Sequence, residues 1–392
     1  MSDDDFIKLY PSHWLYNASV IGLLRVMSSS IGDQSIDSIF TESAEVIIPK
    51  EWFEEITVKG GKILKATMAY IDYLWDSTPE DKRNQWLEEK KEKYNTYFET
   101  LGLDGLKFVW LGNKLFASNT PYQNMMQPQN WQSFEFQDLL LKDGFKHDKN
   151  EHVCGLCQNF KTKIKNTDSK FEKTLLSFQL SHNSDLGPSI GEFPNSFWNN
   201  KDSIIICPLC AYLLLHSNIA MSSTMEGQIF INAPSFKLMW HLNKYAEGIF
   251  NRKHSRDVLA MSLMDLTQKV NATLGMWSIA NIEVVVRKRK GNIDHFSMPY
   301  EQTRLLLNRR ISALISKTRE PNVLDAVLSG RFVDLLTMNE KLLKAVQSNN
   351  IDDGKRYLRN YENHKTSRMR TIVATIPELY IQINKQLHEE VI

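Results

Sequence analysis

Four cysteines, gathered in two doublets, constrain this chain more than any other feature. Cys154-Gly155-Leu156-Cys157 and Cys207-Pro208-Leu209-Cys210 hold all four cysteines of the 392 residues. Two Cys-x-x-Cys units present four thiolates to one ion, the donor set of a structural zinc site. Thiolates are soft donors and favour Zn²⁺ over Mg²⁺ or Ca²⁺. Gly155 and Pro208 suit the tight turn that each knuckle needs. The doublets are far apart in sequence, so one ion would close a long loop and tie two distant segments together. Two disulfides, or a redox-active pair, are the alternatives. Neither suits a chain that starts Met1-Ser2-Asp3-Asp4-Asp5, acidic and unlike a secretory signal, and that leaves no cysteine over. A closed four-thiolate shell is structural rather than catalytic. His147, His152, His182 and His216 lie near in sequence and could replace a ligand, but four cysteines already complete a shell.

The length allows two or three domains. A content of 42% hydrophobic and 24% charged residues is that of a soluble globular protein. No apolar run reaches the length of a membrane span, so a cytoplasmic protein without a membrane partner is expected. The net charge of +1 conceals an asymmetry. Residues 1–251 carry 24 Lys+Arg and 31 Asp+Glu, a balance of −7; residues 252–392 carry 23 and 15, a balance of +8. A basic C-terminal third points to a polyanionic partner.

Periodicity gives an α+β chain: a mixed N-terminal domain with an embedded four-cysteine zinc site, then a C-terminal helical bundle. The expected divisions are 1–145, 146–250, 251–300 and 301–392. A helix is expected over 11–31, capped by Ser12, with Trp14, Ala18, Ile21 and Leu24 at helical spacing and Gly22 allowing a close neighbour. Ser35–Phe40 and Glu45–Ile48 read as strands, and 57–62 as a turn that lacks the elements of a phosphate loop. Helix follows to 99, interrupted near Pro79. Residues 119–133 form an amide-rich loop whose Gln123 and Asn124 could read base edges and whose Tyr122 and Trp131 could stack; a polar loop capping its own backbone is the plainer reading. Ile204–Ile206 leads as a strand into the second knuckle, a helix follows it, and 236–250 is an amphipathic helix.

A hairpin is expected from Ile282 to Met298, turning at Gly291-Asn292. Its tip carries Arg287, Lys288, Arg289 and Lys290, a cationic finger suited to phosphates; lysines also protect edge strands. From Glu301 the chain reads as helices with apolar stripes, among them Leu335, Leu336, Met338, Leu342, Leu343 and Val346. A third bundle helix is expected over 362–375 and a fourth beginning at Pro377. Arg309, Arg310, Arg356, Arg359, Arg368 and Arg370 should face outward and line a nucleic-acid groove. No His-Glu-x-x-His, Gly-x-Ser-x-Gly, Walker or dinucleotide fingerprint is present, so no catalytic residue is assigned.

The doublets, together with Trp14-Leu15-Tyr16-Asn17-Ala18 and Ile21-Gly22-Leu23-Leu24-Arg25, resemble the CXXC–CXXC family of CRISPR-associated proteins, large subunits of type I (I-B-like) Cascade complexes. The resemblance implies a non-catalytic subunit at the crRNA 5′ end, among other Cascade subunits. It would recognise the protospacer-adjacent motif in target double-stranded DNA, aid strand opening and hold the displaced single strand on its helical bundle. It would also dock a helicase-nuclease or a transposition adaptor. An internal start at Met276 or Met298 could release the bundle as a small subunit. The rival reading is a free-standing zinc-containing DNA-binding regulator.

Overall fold

Alternating burial marks the first strand of the computed structural model, β1 (Phe6–Leu9), in which Ile7 and Leu9 are buried and Lys8 is exposed. The structure describes residues 5–58, 61–90, 99, 107, 152–162, 177–178, 204–249, 254–269, 281–288 and 293–388. The fold is α+β. Internal contacts divide it into two units. One is Met1–Ser222 with Glu226–Trp240 and Val285–Asp294; the other is Ser223–Met225 with His241–Val284 and His295–Ile392.

In the first unit, α1 (Trp14–Ile31) is the hub. Every residue from Trp14 to Met27 is buried, so the helix is enclosed on all sides rather than amphipathic. Its polar residues are accordingly bonded. The Ser19 hydroxyl donates to the Leu15 carbonyl at 2.7 Å, and Arg25 donates to the Ile219 carbonyl at 2.8 Å. Ser12 does not cap this helix. The cap is His13, whose Nδ1 accepts from the Leu15 N–H at 3.3 Å, because the Ser12 hydroxyl is committed elsewhere. Gly32, at φ 86°, stops the helix, and its N–H bonds the Ser28 carbonyl at 2.8 Å.

The expected strand over Ser35–Phe40 is instead a short helix, α2 (Asp33–Asp37). The Ser35 and Ser38 hydroxyls bond back to the carbonyls of Ile31 and Ser35, at 2.9 and 2.7 Å. Such local bonds offer the backbone a turn instead of a ladder, and Phe40 alone makes a bridge, to Val46. β2 (Val46–Pro49) pairs antiparallel with β1, placing Ile7 opposite Ile48 and Leu9 opposite Val46. The turn expected over 57–62 is the end of a hairpin, β3 (Glu55–Val58) with β4 (Gly61–Leu64). α3 (Lys65–Asp76) and α4 (Glu80–Lys90) then break at Pro79, as the sequence indicates. Ile63, Ile71 and Trp75 form a small core with Trp86 and Leu87 packed on it.

Among the described residues, four two-residue strands accompany the cysteines: β5 (His152–Val153) with β6 (Lys161–Thr162), and β7 (Ser177–Phe178) with β8 (Ile204–Ile205). Then come α5 (Pro208–Leu213) and a 3₁₀ segment, Leu214–Ala220. A four-stranded sheet runs β12-β11-β10-β9, comprising β9 (Ser222–Ser223), β10 (Gln228–Asn232), β11 (Glu283–Arg287) and β12 (Ile293–Ser297). Ile229, Phe230 and Ile231 of β10 are all buried, as in a strand covered on both faces. α6 (Phe236–Gly248) follows that strand.

The second unit is helical. α7 (Ser255–Lys269) packs against α8 (Tyr300–Leu306) and α9 (Arg309–Thr318). Asn308 caps α9, accepting from the N–H groups of Arg310 and Ile311 at 3.0 and 3.2 Å. α10 (Pro321–Leu328) starts with proline at its first turn, where no N–H is needed. α11 (Phe332–Gln347) turns Leu335, Met338, Leu342 and Ala345 inward. Leu336 and Leu343, read from sequence as part of that stripe, are exposed; they lie off the inward face by the 3.6-residue period. After α12 (Ile351–Lys355), one helix, α13 (Thr366–His388), replaces the two expected around Pro377. Proline removes one hydrogen bond and crowds the preceding turn. Here the exposed Pro377 lies between Met369, Ile372 and Ile376 on one side and Leu379 and Ile383 on the other, all buried. That continuous inward stripe packs on α9 and α11 and overrides the break. Among the described residues, no helix is long and apolar enough to cross a membrane.

Candidate metal centre

Each knuckle is shaped by its own backbone before any ion is considered. In the first, the Cys154 N–H donates to the Phe160 carbonyl at 2.9 Å and the Gln158 N–H to the Cys154 carbonyl at 3.0 Å. Gln158 takes a left-handed φ of 55° to close the turn. In the second, Cys207 is the cap of α5, its sulfur accepting from the Cys210 N–H at 3.4 Å, with Pro208 at the first helical position. The Cys157 sulfur likewise accepts from the Phe160 N–H at 3.5 Å.

The knuckles are then pinned to each other. The Gly155 N–H donates to the Ile205 carbonyl at 2.8 Å. A Cβ at Gly155 would sit 3.1 Å from the Ile204 side chain, so the glycine serves this approach. The result brings the sulfurs of Cys154, Cys157, Cys207 and Cys210 within 4.8 Å of one another, all buried. A tetrahedral ion with zinc–sulfur bonds of about 2.3 Å needs sulfurs about 3.8 Å apart, so the residues fit one such ion.

Electrostatics agrees with this fit. Hydrogen bonds from Cys157, Cys207 and Cys210 hold the Cys154 thiol below the usual thiol range. Burial pushes Cys207 and Cys210 well above it. Burial, and then the four neighbouring sulfurs, push the Tyr16 phenol up as well. Buried sulfurs this close share protons, and ionising all of them calls for a cation in their midst. The cluster can therefore hold a metal ion.

Helix α1 braces both knuckles. The Ser12 hydroxyl, just before α1, donates to the Leu156 carbonyl at 2.7 Å, inside the first knuckle. Asn17 closes the same corner, accepting from the Ser12 N–H at 2.8 Å and donating to Asn232 at 2.8 Å. Gly22 meets the segment after the second knuckle. Any Cβ there would collide with the backbone carbonyl of His216. His216 lies outside the sulfur cluster. Its ring packs against Tyr70 and Tyr212, at centroid distances of 4.8 and 5.2 Å. Burial lowers its pKa from 6.5 to about 4, and the carbonyls of Leu213 and Tyr212 offset only part of that. His152 is exposed, while His147 and His182 lie outside the described residues. The bracing by Ser12 and Asn17 was not read from sequence, because a serine and an asparagine beside a helix start carry the ordinary signal of a local cap.

Arg287 is half-buried and donates to Asn218 at 2.7 Å and to Gln228. Lys288 is exposed and paired with Asp294. Arg289 and Lys290, and the amide-loop residues Gln123 and Asn124, lie outside the described residues. Arg309, Arg310, Arg356, Arg359 and Arg370 are exposed, and Arg368 is half-buried. Arg310 is engaged by Glu378 at 2.7 Å, and Arg356 lies 3.9 Å from Asp353.

No curated protein and no solved structure matches this chain. Residues 147–222 match the family model Cas_CXXC_CXXC, described as CRISPR-associated protein. The matched segment contains both doublets and the helical turns after them, so the sulfur cluster lies in a segment that is similar to this CRISPR-associated family, while Ser12, Asn17 and Gly22 lie outside it.

Proposed function

We propose that this chain is the non-catalytic large subunit of a type I guide-RNA surveillance complex of the Cascade kind. One observation carries the reading: the segment that matches the CRISPR-associated family is the segment that builds the buried four-sulfur cluster. In this reading Cys154, Cys157, Cys207 and Cys210 hold one structural Zn²⁺, and the ion supplies folding energy rather than chemistry. Ser12, Asn17 and Gly22 fasten the zinc knuckles to α1. Guide pairing reads most of the target, while the protein reads a short protospacer-adjacent motif and backbone shape. Lys288 and the exposed arginines of the helical unit supply phosphate contacts, which position the duplex and the displaced strand without specifying a base. A helicase-nuclease or a transposition adaptor docks downstream.

The test is affinity purification of the tagged chain from cells carrying its genomic neighbours. The expected outcome is co-purification of a short guide RNA and companion subunits. The assembled complex should bind target duplex in a motif-dependent way, with one base change in the motif weakening binding about tenfold. Specific duplex binding by the chain alone, with no RNA or companions, would instead establish the free-standing regulator.

A further inference from the structure

The helical unit contains a cleft of about 770 Å³, a size ordinary for small-ligand sites. Its floor includes Met261, Met264, Ile315 and Leu324, and its rim includes Arg319 and Arg359. These two arginines are fixed from below by a buried carboxylate. Glu320, 3% exposed, accepts from the Arg359 N–H at 2.7 Å, the Asn360 N–H at 3.4 Å and the Asn363 side chain at 2.9 Å. The Asn360 and Asn363 side chains also donate to the Arg319 carbonyl, at 2.9 and 3.2 Å. One network therefore locks the backbone under both arginines while leaving their heads outside it.

Two further observations bear on these arginines. Arg319 has φ 49°, a left-handed conformation uncommon for any residue but glycine. Here it is the left-handed residue with which α9 ends, an ordinary helix stop that the Glu320 network holds in place. The heads of both arginines are also available. Among the described residues the Arg359 guanidinium has no hydrogen bond or ion pair. Arg319 lies 3.8 Å from Glu362, with both side chains more than half exposed, a weak surface pair. Arg256, also on the rim, differs: Asp325 engages it at 2.5 Å.

We propose that this cleft binds one nucleotide unit of a single-stranded nucleic acid, with the base on the Met261–Met264–Ile315 floor and the phosphate on Arg319 and Arg359. Guanidinium forks match phosphate oxygens in pairs. Thioethers make favourable contacts with flat aromatic faces of any sequence. An acidic peptide would satisfy the same arginines but brings no flat body to the floor. The balance of +8 over 252–392 favours a polyanion. The inference deepens the proposed function, because it supplies a seat for an unpaired strand, and it rests on that reading.

The experiment measures binding of a fluorescein-labelled oligothymidylate to the full chain by anisotropy. Arg319→Gly removes a guanidinium and suits the positive φ, so its thermal midpoint should not fall while its affinity does. Combined with Arg359→Ala, it should weaken binding about tenfold or more. Met261→Glu, which places a charge on the floor, should do the same with the rim intact. Lys341→Ala with Lys344→Ala removes equal charge from exposed positions of α11 and should cost less than about twofold. Equal loss in both double variants would mean a general field effect and overturn the site, as would unchanged binding. Stronger displacement of the label by an oligoglutamate than by unlabelled oligothymidylate would overturn it in favour of a peptide. If guide RNA and partners co-purify but the cleft variants bind normally, this inference alone fails. If they do not co-purify but the cleft variants lose the strand, the surveillance-complex reading alone fails.

Discussion

The segment around the cysteines and the helical segment from Ser255 onward are built on opposite plans. Around the cysteines no strand among the described residues exceeds two residues, and stability comes from bonds across great sequence distance: Ser12 to Leu156, Asn17 to Asn232, Arg25 to Ile219. In the helical unit, caps such as Asn308 and Glu320 and inward stripes on α9, α11 and α13 do the work, over shorter sequence distances. The first plan depends on the sulfur cluster, where a proposed ion would act as a cross-link, and on single residues at fixed places. The second spreads its stability over many interchangeable apolar side chains. The contrast teaches where the chain tolerates change and where it does not.

The largest expected effect comes from removing the proposed metal cross-link. Cys207→Ser, or chelation of the wild type, should abolish stoichiometric zinc and cost several kcal/mol, because binding energy at a structural site is folding energy. Metal analysis together with limited proteolysis measures it. New cuts should appear within 147–222, while the helices from Ser255 onward keep their protection. Loss of protection throughout the chain would break the comparison.

Acid gives the second effect. His216 is folded with its pKa lowered from 6.5 to about 4. The unfolded chain therefore binds its proton first. The sign follows: this contribution is complete above pH 6.5 and is lost as pH falls towards 4, by up to about 3 kcal/mol. Urea midpoints across that window should fall less steeply for His216→Gln than for the wild type, even if the variant is weaker at neutral pH. Parallel profiles would assign the acid response to other groups.

The smallest effect sharpens the other side. Pro377→Ala restores a donor to the middle of α13 and should raise stability by about 1 kcal/mol, the propensity gain being partly cancelled by a freer unfolded chain. A loss measured by chemical denaturation would mean that the proline is packed to advantage.

The two plans were not equally legible. The doublets announced the sulfur cluster because ligand chemistry needs particular residues at a particular spacing. Helices α9 and α11 were legible because burial imposes a period. Ser12 was misread because its hydroxyl serves a carbonyl 144 residues away, and no local pattern encodes that. Ser35–Phe40 was misread because serine side chains bonding their own backbone outweighed an apolar alternation. Pro377 was misread because packing on both sides of it exceeded the local penalty. The Arg319–Arg359 pair had no sequence signature, since a buried Glu320 joins positions that only the folded chain brings together.

The enclosure of α1 has a consequence for the order in which the chain is made. This helix leaves the ribosome well before part of its cover: the residues that meet Gly22 and Arg25, His216 and Ile219, follow nearly two hundred positions later. At ordinary rates of translation that delay is about 10–40 s. Throughout it, the helix lacks the cover of that later segment, although α2 and α3 reach it sooner. The helical unit waits for no such distant partner, since each of its helices meets a neighbour soon after emerging. Newly made chains should therefore call on chaperones through α1, and α1 should be a place where slowed synthesis, or want of the proposed zinc, turns nascent protein into aggregate.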